Sequence, residues 1–126
     1  MSRLGHEATY ISKVGDDSFG NFIIESIRKA KIDDSYLTKD KKYSTGFYLK
    51  QKVSDGDPTV DYYCKNSAAA NLSSSELETI DLSEIKIAHL SGIFPTLSKT
   101  SLKTFQTFNQ KLNEANILTI FDPNLR

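Results

Sequence analysis

Residues 8–30 read ATYISKVGDDSFGNFIIESIRKA, and they join a strand-like segment to a helix-like segment through an acidic turn. Residues 8–14 are rich in residue types that favour strands, so a strand is predicted there. A helix is predicted from about Ser18 to Lys29, with Asp17 or Ser18 capping its first N–H groups. Its apolar residues recur at helical spacing along one face: Phe19, Phe22, Ile23, Ile27 and Ala30.

The segment from residue 45 to residue 65 has a different pattern, which predicts a β-hairpin. Residues 45–53 (TGFYLKQKV) alternate in polarity, residues 54–58 (SDGDP) are a strong turn signal, and residues 59–65 (TVDYYCK) are strand-like. A hairpin with polar residues on both faces fits poorly inside a parallel sheet. We therefore expect an appended flap or lid.

The alternation of strand-like and helix-like segments resumes after the hairpin. Ser73 and Glu76 have the spacing of a capping box that opens a short helix, and residues 86–91 (KIAHLS) form a strand. Ser98 can cap a helix that runs to about Glu114. Residues 117–121 (ILTIF) are a short apolar run, typical of a buried parallel strand.

This alternation predicts an α/β fold with a mainly parallel sheet and helices on its faces. Ligands on such sheets bind beyond the carboxyl ends of the strands. Three segments lie at those ends: residues 15–20 (GDDSFG), 91–95 (SGIFP) and 122–126 (DPNLR).

Composition and charge exclude several classes of protein. The 126 residues carry 16 basic and 16 acidic side chains, so no net field attracts nucleic acid or an anionic membrane. Cys64 is the single cysteine, which excludes an internal disulfide and favours a reducing compartment. No apolar run approaches the ~18 residues that span a bilayer, and no signal-peptide core is present. We expect a soluble cytoplasmic protein that binds neither nucleic acid nor membrane.

The polar residues at the strand ends have two interpretations each. Arg126 offers a planar fork of donors suited to a carboxylate or phosphate, or it pairs with a surface acid. Asp16 or Asp17 accepts hydrogen bonds from a polyol, or their turn is a helix cap with close backbone packing.

The hairpin tyrosines are the other candidates for ligand contact. Tyr48, Tyr62 and Tyr63 offer apolar ring faces and hydroxyl groups to a sugar, or they form an ordinary half-buried aromatic ladder. In a regular strand Tyr62 and Tyr63 point to opposite faces, so one faces a ligand and the other faces solvent or a partner subunit.

Four segments together resemble the ribokinase/PfkB family of sugar kinases: residues 2–20 (SRLGHEATYISKVGDDSFG), 62–70 (YYCKNSAAA), 89–98 (HLSGIFPTLS) and 121–126 (FDPNLR). Within the family they are most similar to 2-keto-3-deoxygluconate kinases. The resemblance implies a partial ribokinase-like three-layer sheet, mainly parallel, with a β-hairpin lid at about residues 45–65. It also implies ATP-dependent phosphorylation of a hydroxyl group on a small sugar acid.

The resemblance implies that Tyr62, Lys65 and Arg126 contact the sugar acid. Tyr48 is a weaker candidate for such a contact. Some relatives carry Arg at the position of Cys64, so the basic residue here comes one position later. That offset reverses the face of a regular strand. Lys65 can therefore contact the sugar only if a bulge or the strand end re-aims its side chain.

The resemblance also implies which parts of the family's site lie outside these residues. The catalytic base is an Asp in a C-terminal GxGD segment beside the nucleotide pocket, and residues 1–126 contain no such segment. We expect a single partial domain that lacks the first strand and the C-terminal nucleotide-binding half. ATP and Mg²⁺ are expected to serve the full-length enzyme. The fragment is expected to bind neither and to be inactive.

Two alternatives stay open. Fructokinases share FDPNLR with this chain, so a fructokinase-like sugar kinase is one. A non-catalytic sugar-binding or dimerisation module is the other. Lid hairpins in the family often pair between subunits, so a homo-oligomer through the hairpin is a further expectation.

Overall fold

A strand, a helix and a second strand open the fold. The structure, a computed structural model, describes residues 1–124. Strand β1 (Ser12–Gly15) leads into helix α1 (Ser18–Lys29), and strand β2 (Leu37–Asp40) lies parallel to β1. Helix α1 has the predicted bounds, because its cap and its apolar spacing are both local signals.

Two details of this region differ from the predictions. The strand begins at Ser12 rather than residue 8, and Thr9 forms an isolated bridge with Asp33. Strand β2 was not predicted, because Leu37 is the one buried residue in it and its polar sequence carries no strand pattern. Short parallel strands of this kind depend on their neighbours more than on their own residues.

The chain divides into two compact units, Met1–Ala69 and the residues from Ala70 onward. In the first unit, a small core forms where α1 packs on β1 and β2. Full burial of one large apolar side chain stabilises the folded state by roughly 1.5–3 kcal/mol relative to leaving it exposed. The core consists of Val14, Ile24 and Leu37, with Ile23 and Ile27 packed against them.

The predicted hairpin is present in the first unit. Strands β3 (Phe47–Lys50) and β4 (Val60–Tyr63) pair antiparallel, and residues 51–59 connect them. Gly56 has a φ of 80°, which an L side chain rarely adopts, so glycine suits this position in the loop. Both strands are shorter than predicted, and β4 ends before Cys64 and Lys65.

The second unit contains the other parallel pair. Strand β5 (Ile87–Ser91) is followed by the short helix α2 (Ile93–Thr96), helix α3 (Lys99–Glu114) and strand β6 (Leu118–Asp122). Strands β5 and β6 pair in parallel. Ser98 caps α3 as predicted. Single 3-10 turns occur at Ser2–Leu4, Ala69–Asn71 and Ser74–Leu77, and the predicted capping box of Ser73 and Glu76 opens the last of them.

The burial predicted for residues 117–121 is confirmed for Ile117, which is 8% exposed, and is wrong for the other apolar residues of the run, although strand β6 is parallel as expected. Leu118 is 63% exposed, Ile120 49% and Phe121 50%. Phe105 of α3 contacts Phe121 with ring centroids 5.8 Å apart. The remaining apolar surface has no cover among residues 1–124, because a two-stranded pair is too small to bury both of its faces.

Helix α3 supports the irregular segment before β5 through polar side chains. Thr104 Oγ1 donates to the backbone carbonyl of Leu72 at 2.9 Å. Lys111 Nζ donates to three carbonyl oxygens, at distances of 3.1–3.2 Å. These contacts satisfy carbonyls in a segment that has few backbone partners of its own. The three acceptors belong to Leu77, Glu78 and Ile80.

The α/β class and the mainly parallel pairing are confirmed by these elements. Two of the three strand pairs within residues 1–124 are parallel, and the antiparallel one is the hairpin. No helix within residues 1–124 combines the length and apolar character that crossing a membrane requires.

Candidate functional site

The acidic turn between β1 and α1 is built around the carboxylate of Asp17. Its Oδ1 accepts from the backbone N–H of Gly20 at 2.8 Å and from the hydroxyl of Thr45 at 2.8 Å. Its Oδ2 accepts from the backbone N–H of Thr45 at 2.8 Å. Asp17 therefore caps α1 and holds the residue that leads into the hairpin, which favours the capping interpretation over polyol binding.

Electrostatics at this turn follow from the same contacts. The pKa of Asp17 lies below its ordinary value, chiefly because the backbone N–H groups of Thr45 and Gly20 donate to the charged carboxylate. Asp16 lies on the solvent side and pairs with Lys39 Nζ at 3.1 Å. Both acids of the turn thus have protein partners.

Thr45 is a residue that sequence reasoning did not identify. Its hydroxyl accepts from the backbone N–H of Gly15 at 2.9 Å while donating to Asp17, and its side chain is buried. The contact joins positions 28 residues apart, and no local pattern in the sequence indicates it. An alignment of related chains could have supplied the signal.

The two faces of the hairpin carry different aromatic side chains. Tyr48 and Tyr62 are directly opposite one another on one face, with ring centroids 6.1 Å apart, and both are more than half exposed. Phe47 and Tyr63 pair on the other face with ring centroids 4.9 Å apart. Phe19 of α1 stacks on Phe47 at 5.1 Å. The Tyr48–Tyr62 face is the one that leaves two tyrosine rings accessible together.

The basic residue after the hairpin lies in a turn. Lys65 is exposed and follows β4, whose last residue is Tyr63. The alternation of strand faces does not apply beyond that end, and Asn66 has a φ of 58°, which redirects the chain. Cys64 is half-buried, and its Sγ lies 3.5 Å from the carbonyl oxygen of Phe47. Lys65 thus lies beyond the end of β4, where the direction of its side chain is not set by the alternation of strand faces.

A polar cluster lies at the carboxyl ends of β5 and β6. Asn124 Nδ2 donates to Ser91 Oγ at 3.2 Å and to Asp122 Oδ2 at 2.9 Å, and its backbone N–H donates to Asp122 Oδ1 at 3.0 Å. Asn124 has a φ of 50°. A Cβ atom on Gly92 would meet the Pro123 carbonyl oxygen, so this turn needs glycine there.

Arg126, which the sequence predicts as a ligand-contacting residue, lies outside the described residues. Tyr48 and Tyr62 share a face of the first unit, and Lys65 follows them in the same unit. Their roles in sugar binding stay predictions. Among residues 1–124, no group of three or more His, Cys, Asp or Glu side chains is placed to hold a metal ion. We assign no contact with ATP or Mg²⁺ to these residues.

Comparison with known proteins identifies the family. The model of the "pfkB family carbohydrate kinase" matches residues 1–126, and the chain belongs to this family of ATP-using kinases. The chain is 37% identical over its whole length to the 2-dehydro-3-deoxygluconokinase of Bacillus subtilis, of which it covers 39%. It is 30% identical over its whole length to Probable fructokinase-2 of Arabidopsis thaliana, of which it covers 38%.

The fold comparison agrees with the sequence comparison. The crystal structure of a PfkB protein from Polaromonas sp. JS666 matches 99% of this chain with a TM-score of 0.91 and 34% identity. The chain covers 42% of that structure. It therefore spans about two fifths of the length of these three relatives. The resemblance to the family that the sequence motifs indicate is confirmed.

Proposed function

We propose that the full-length protein containing this chain transfers a phosphoryl group from ATP to 2-keto-3-deoxygluconate (2-dehydro-3-deoxygluconate) or a similar sugar acid. In this proposal the chain supplies the lid hairpin and part of the sugar pocket. The observation that carries it is the exposed Tyr48–Tyr62 pair on one face of the hairpin. The 37% identity to a 2-dehydro-3-deoxygluconokinase supports the choice of substrate.

Each candidate residue has a role that follows from its chemistry. The rings of Tyr62 and Tyr48 offer an apolar surface to the sugar, and their hydroxyl groups bond to its oxygens. Lys65 is a compact cation that pairs with the carboxylate that distinguishes a sugar acid from a neutral hexose. Arg126 supplies a planar fork of donors to the same substrate.

The catalytic base and the nucleotide site belong, in this proposal, to parts of the protein outside the 126 residues. Phosphoryl transfer depends almost entirely on positioning and on stabilising charge at the transferred group. A chain without the base and without the site for ATP and Mg²⁺ should bind neither and have no kinase activity. The presence of one cysteine, Cys64, among these 126 residues supports a cytoplasmic location for the enzyme.

A kinase assay on two proteins tests the proposal. The full-length protein and the 126-residue chain are each incubated with ATP, Mg²⁺ and 2-keto-3-deoxygluconate, and phosphorylated sugar acid is measured by mass spectrometry. The full-length protein should form product, and the chain alone should not. Product from the chain alone, or none from the folded full-length protein, contradicts the proposal.

A fructokinase activity is the second candidate, favoured by the 30% identity to Probable fructokinase-2 across the whole chain. The two activities differ in the substrate carboxylate. Replacing Lys65 by Ala should weaken a sugar acid far more than fructose, because fructose has no charge for Lys65 to pair with. If Lys65→Ala weakens the sugar acid and fructose equally, the fructokinase activity is favoured.

Self-association through the hairpin is the third candidate. The exposed apolar side chains of β3 and β4 support it, since Leu49 is 55% exposed, Tyr48 62% and Tyr63 52%. Such side chains are common at protein interfaces. Size-exclusion chromatography at several protein concentrations, with and without sugar acid, tests it. A non-catalytic binding module would self-associate and bind the sugar acid in a full-length protein that does not turn over ATP.

A further inference from the structure

The root of the hairpin, which we define as residues 44–46 and 67–68, closes on the β1–α1 turn. The backbone N–H of Ala68 donates to the carbonyl of Ser44 at 2.8 Å, which ties the two ends of the hairpin together. Between them and α1 lies the carboxylate of Asp17, which accepts both the N–H and the hydroxyl of Thr45. The hairpin root is therefore attached to the β1–α1 turn through a charged group, the carboxylate of Asp17.

We infer that Asp17 is a positioning residue that fixes the lid hairpin to the β1–α1 turn by holding Thr45. The effect of this attachment on sugar binding rests on the proposed function, in which Tyr48 and Tyr62 contact the substrate. The attachment itself is a property of the first unit and can be measured without any ligand.

Close packing at the root leaves little room for another arrangement. A Cβ atom on Gly15 would lie 2.5 Å from the backbone nitrogen of Thr45 and would also meet the Asp17 carboxylate. A Cβ atom on Gly20 would lie 3.1 Å from Thr45 Oγ1 and would meet the carbonyl oxygen of Gly15. Both glycines of the acidic turn thus allow Thr45 to reach Asp17.

The aromatic stack is a second contact between the hairpin and α1. Phe19 stacks on Phe47, but Phe19 is 57% exposed, so solvent reaches much of this contact. The side chain of Thr45 is buried, and its hydroxyl donates to the charged carboxylate of Asp17. This hydrogen bond is therefore expected to hold the hairpin more strongly than the aromatic stack does. Replacing Phe19 by Ala should therefore release the hairpin less than removing the Thr45 contact does.

Asp17→Asn separates the two roles of the carboxylate. The amide keeps one oxygen for the N–H of Gly20, and Asn is as good a helix cap as Asp. The other oxygen becomes an NH₂ group that faces the N–H of Thr45, so that N–H loses its acceptor. The hydroxyl of Thr45 keeps only a neutral amide oxygen in place of the charged carboxylate, which weakens the attachment of the hairpin root. Asp16→Asn is the matched control, because Asp16 is adjacent in sequence and pairs with Lys39 instead.

A second pair of variants approaches the contact from the hairpin side. Thr45→Val keeps the shape of the side chain but removes the hydroxyl, which leaves the N–H of Gly15 without its acceptor. Thr45→Ser keeps both hydrogen bonds of the hydroxyl and is the conservative rescue. This pair decides the question even where Asp17→Asn fails to fold.

Amide hydrogen exchange measured by NMR on the 126-residue chain tests the inference. All variants are measured in the same concentration of trimethylamine N-oxide, which favours the folded state. The amides of β3 and β4 should exchange roughly ten- to a hundredfold faster in Asp17→Asn and Thr45→Val, the range expected for losing a charge-assisted hydrogen bond. Asp16→Asn and Thr45→Ser should stay within about twofold of the parent chain.

The same data contain the result that overturns the inference. If Asp17 merely caps the helix, its variants speed exchange in the first turn of α1 and leave β3 and β4 unchanged. Unchanged hairpin exchange in Thr45→Val also overturns it. Loss of the cross-peak between the Phe19 and Phe47 rings, with α1 still protected, supports it.

Sugar-acid affinity of the full-length variants separates this inference from the proposed function. If Asp17→Asn and Thr45→Val bind the sugar acid more weakly and Thr45→Ser does not, the positioning role of Asp17 and the proposed sugar contact by the hairpin are both supported. A released hairpin with unchanged affinity upholds the positioning role and contradicts sugar contact by the hairpin. A fixed hairpin in a protein that still binds the sugar acid overturns the positioning role alone.

Discussion

Tyr48 and Tyr62 lie opposite each other across β3 and β4, with their ring centroids 6.1 Å apart. The register places Phe47 and Tyr63 on the other face, where Phe19 of α1 stacks on Phe47. The hairpin therefore has one face that contacts α1 through Phe47 and one face with two accessible tyrosines. Residues on the second face can contact a ligand without disturbing the packing of the first.

Replacing Tyr62 by Ala in the full-length protein should weaken binding of the sugar acid roughly tenfold, because an apolar ring face and a hydroxyl are both lost. Tyr62→Phe should lose less, since it keeps the ring. Leu49→Ala is the control on the opposite face, where the side chain is also exposed. Isothermal titration calorimetry measures the affinities. Equal losses in Tyr62→Ala and Leu49→Ala would argue for a general effect on the hairpin.

Replacing Lys65 by Ala should weaken the sugar acid by about tenfold or more, the usual range for losing a hydrogen bond to a charged group. A neutral hexose should be affected by less than about twofold. Lys41→Ala, in the loop after β2, is the matched control because it removes the same charge from an exposed position outside the hairpin. The measurement is kcat/KM for both substrates. A uniform loss across substrates would exclude a carboxylate contact for Lys65.

Acid should destabilise the chain through its hydrogen-bonded carboxylates. The pKa values of Asp17, Asp33 and Asp40 all lie below their ordinary value, chiefly because N–H and O–H groups of Thr45, Ser35 and Lys42, respectively, donate to them. A depressed pKa in the folded state gives stability that is present above the unfolded pKa of about 4 and is lost as the pH falls through the folded pKa.

Urea unfolding at a series of pH values measures this loss. The free energy of unfolding should fall as the pH drops below about 4, since the unfolded chain then binds more protons than the folded one. Asp17→Asn should show a shallower fall, because one of the contributing carboxyls is absent. A free energy that rises or stays constant as the pH falls from about 5 to 3 would contradict this assignment.

Replacing Lys111 by Met should destabilise the second unit by about 1 kcal/mol, the usual net contribution of an intramolecular hydrogen bond, because the contacts with Leu77 and Ile80 are part-buried and the contact with Glu78 is exposed. Met keeps the apolar stem but cannot donate to the carbonyls of Leu77, Glu78 and Ile80. Lys103→Met is the control, because that side chain lies on the exposed face of α3. Thermal unfolding followed by circular dichroism compares them. Equal changes in both variants would indicate that the three carbonyl contacts contribute nothing.

Elements with local signals were predicted well from the sequence. The caps Asp17 and Ser98 and the apolar spacing behind them fixed both long helices to within a residue. The turn residues 54–58 identified the hairpin. These signals act over a few residues, so the sequence carries them directly.

Features that depend on distant contacts were missed or misjudged. Strand β2 forms because Leu37 packs beside Val14, not because its own residues favour a strand. The burial of Leu118, Ile120 and Phe121 depends on cover that the described residues do not provide. Thr45 meets Asp17 across 28 positions, which no local pattern encodes. Tertiary context decided each of these cases.

The substrate ratio of the full-length protein tests the central claim most directly. We predict that kcat/KM for ATP-dependent phosphorylation is roughly a hundredfold higher or more with 2-keto-3-deoxygluconate than with fructose, because fructose lacks the carboxylate with which the proposed cationic contacts of Lys65 and Arg126 pair. A protein that prefers fructose, or that phosphorylates neither sugar while folded, would contradict the claim that this chain forms the sugar-acid side of a kinase.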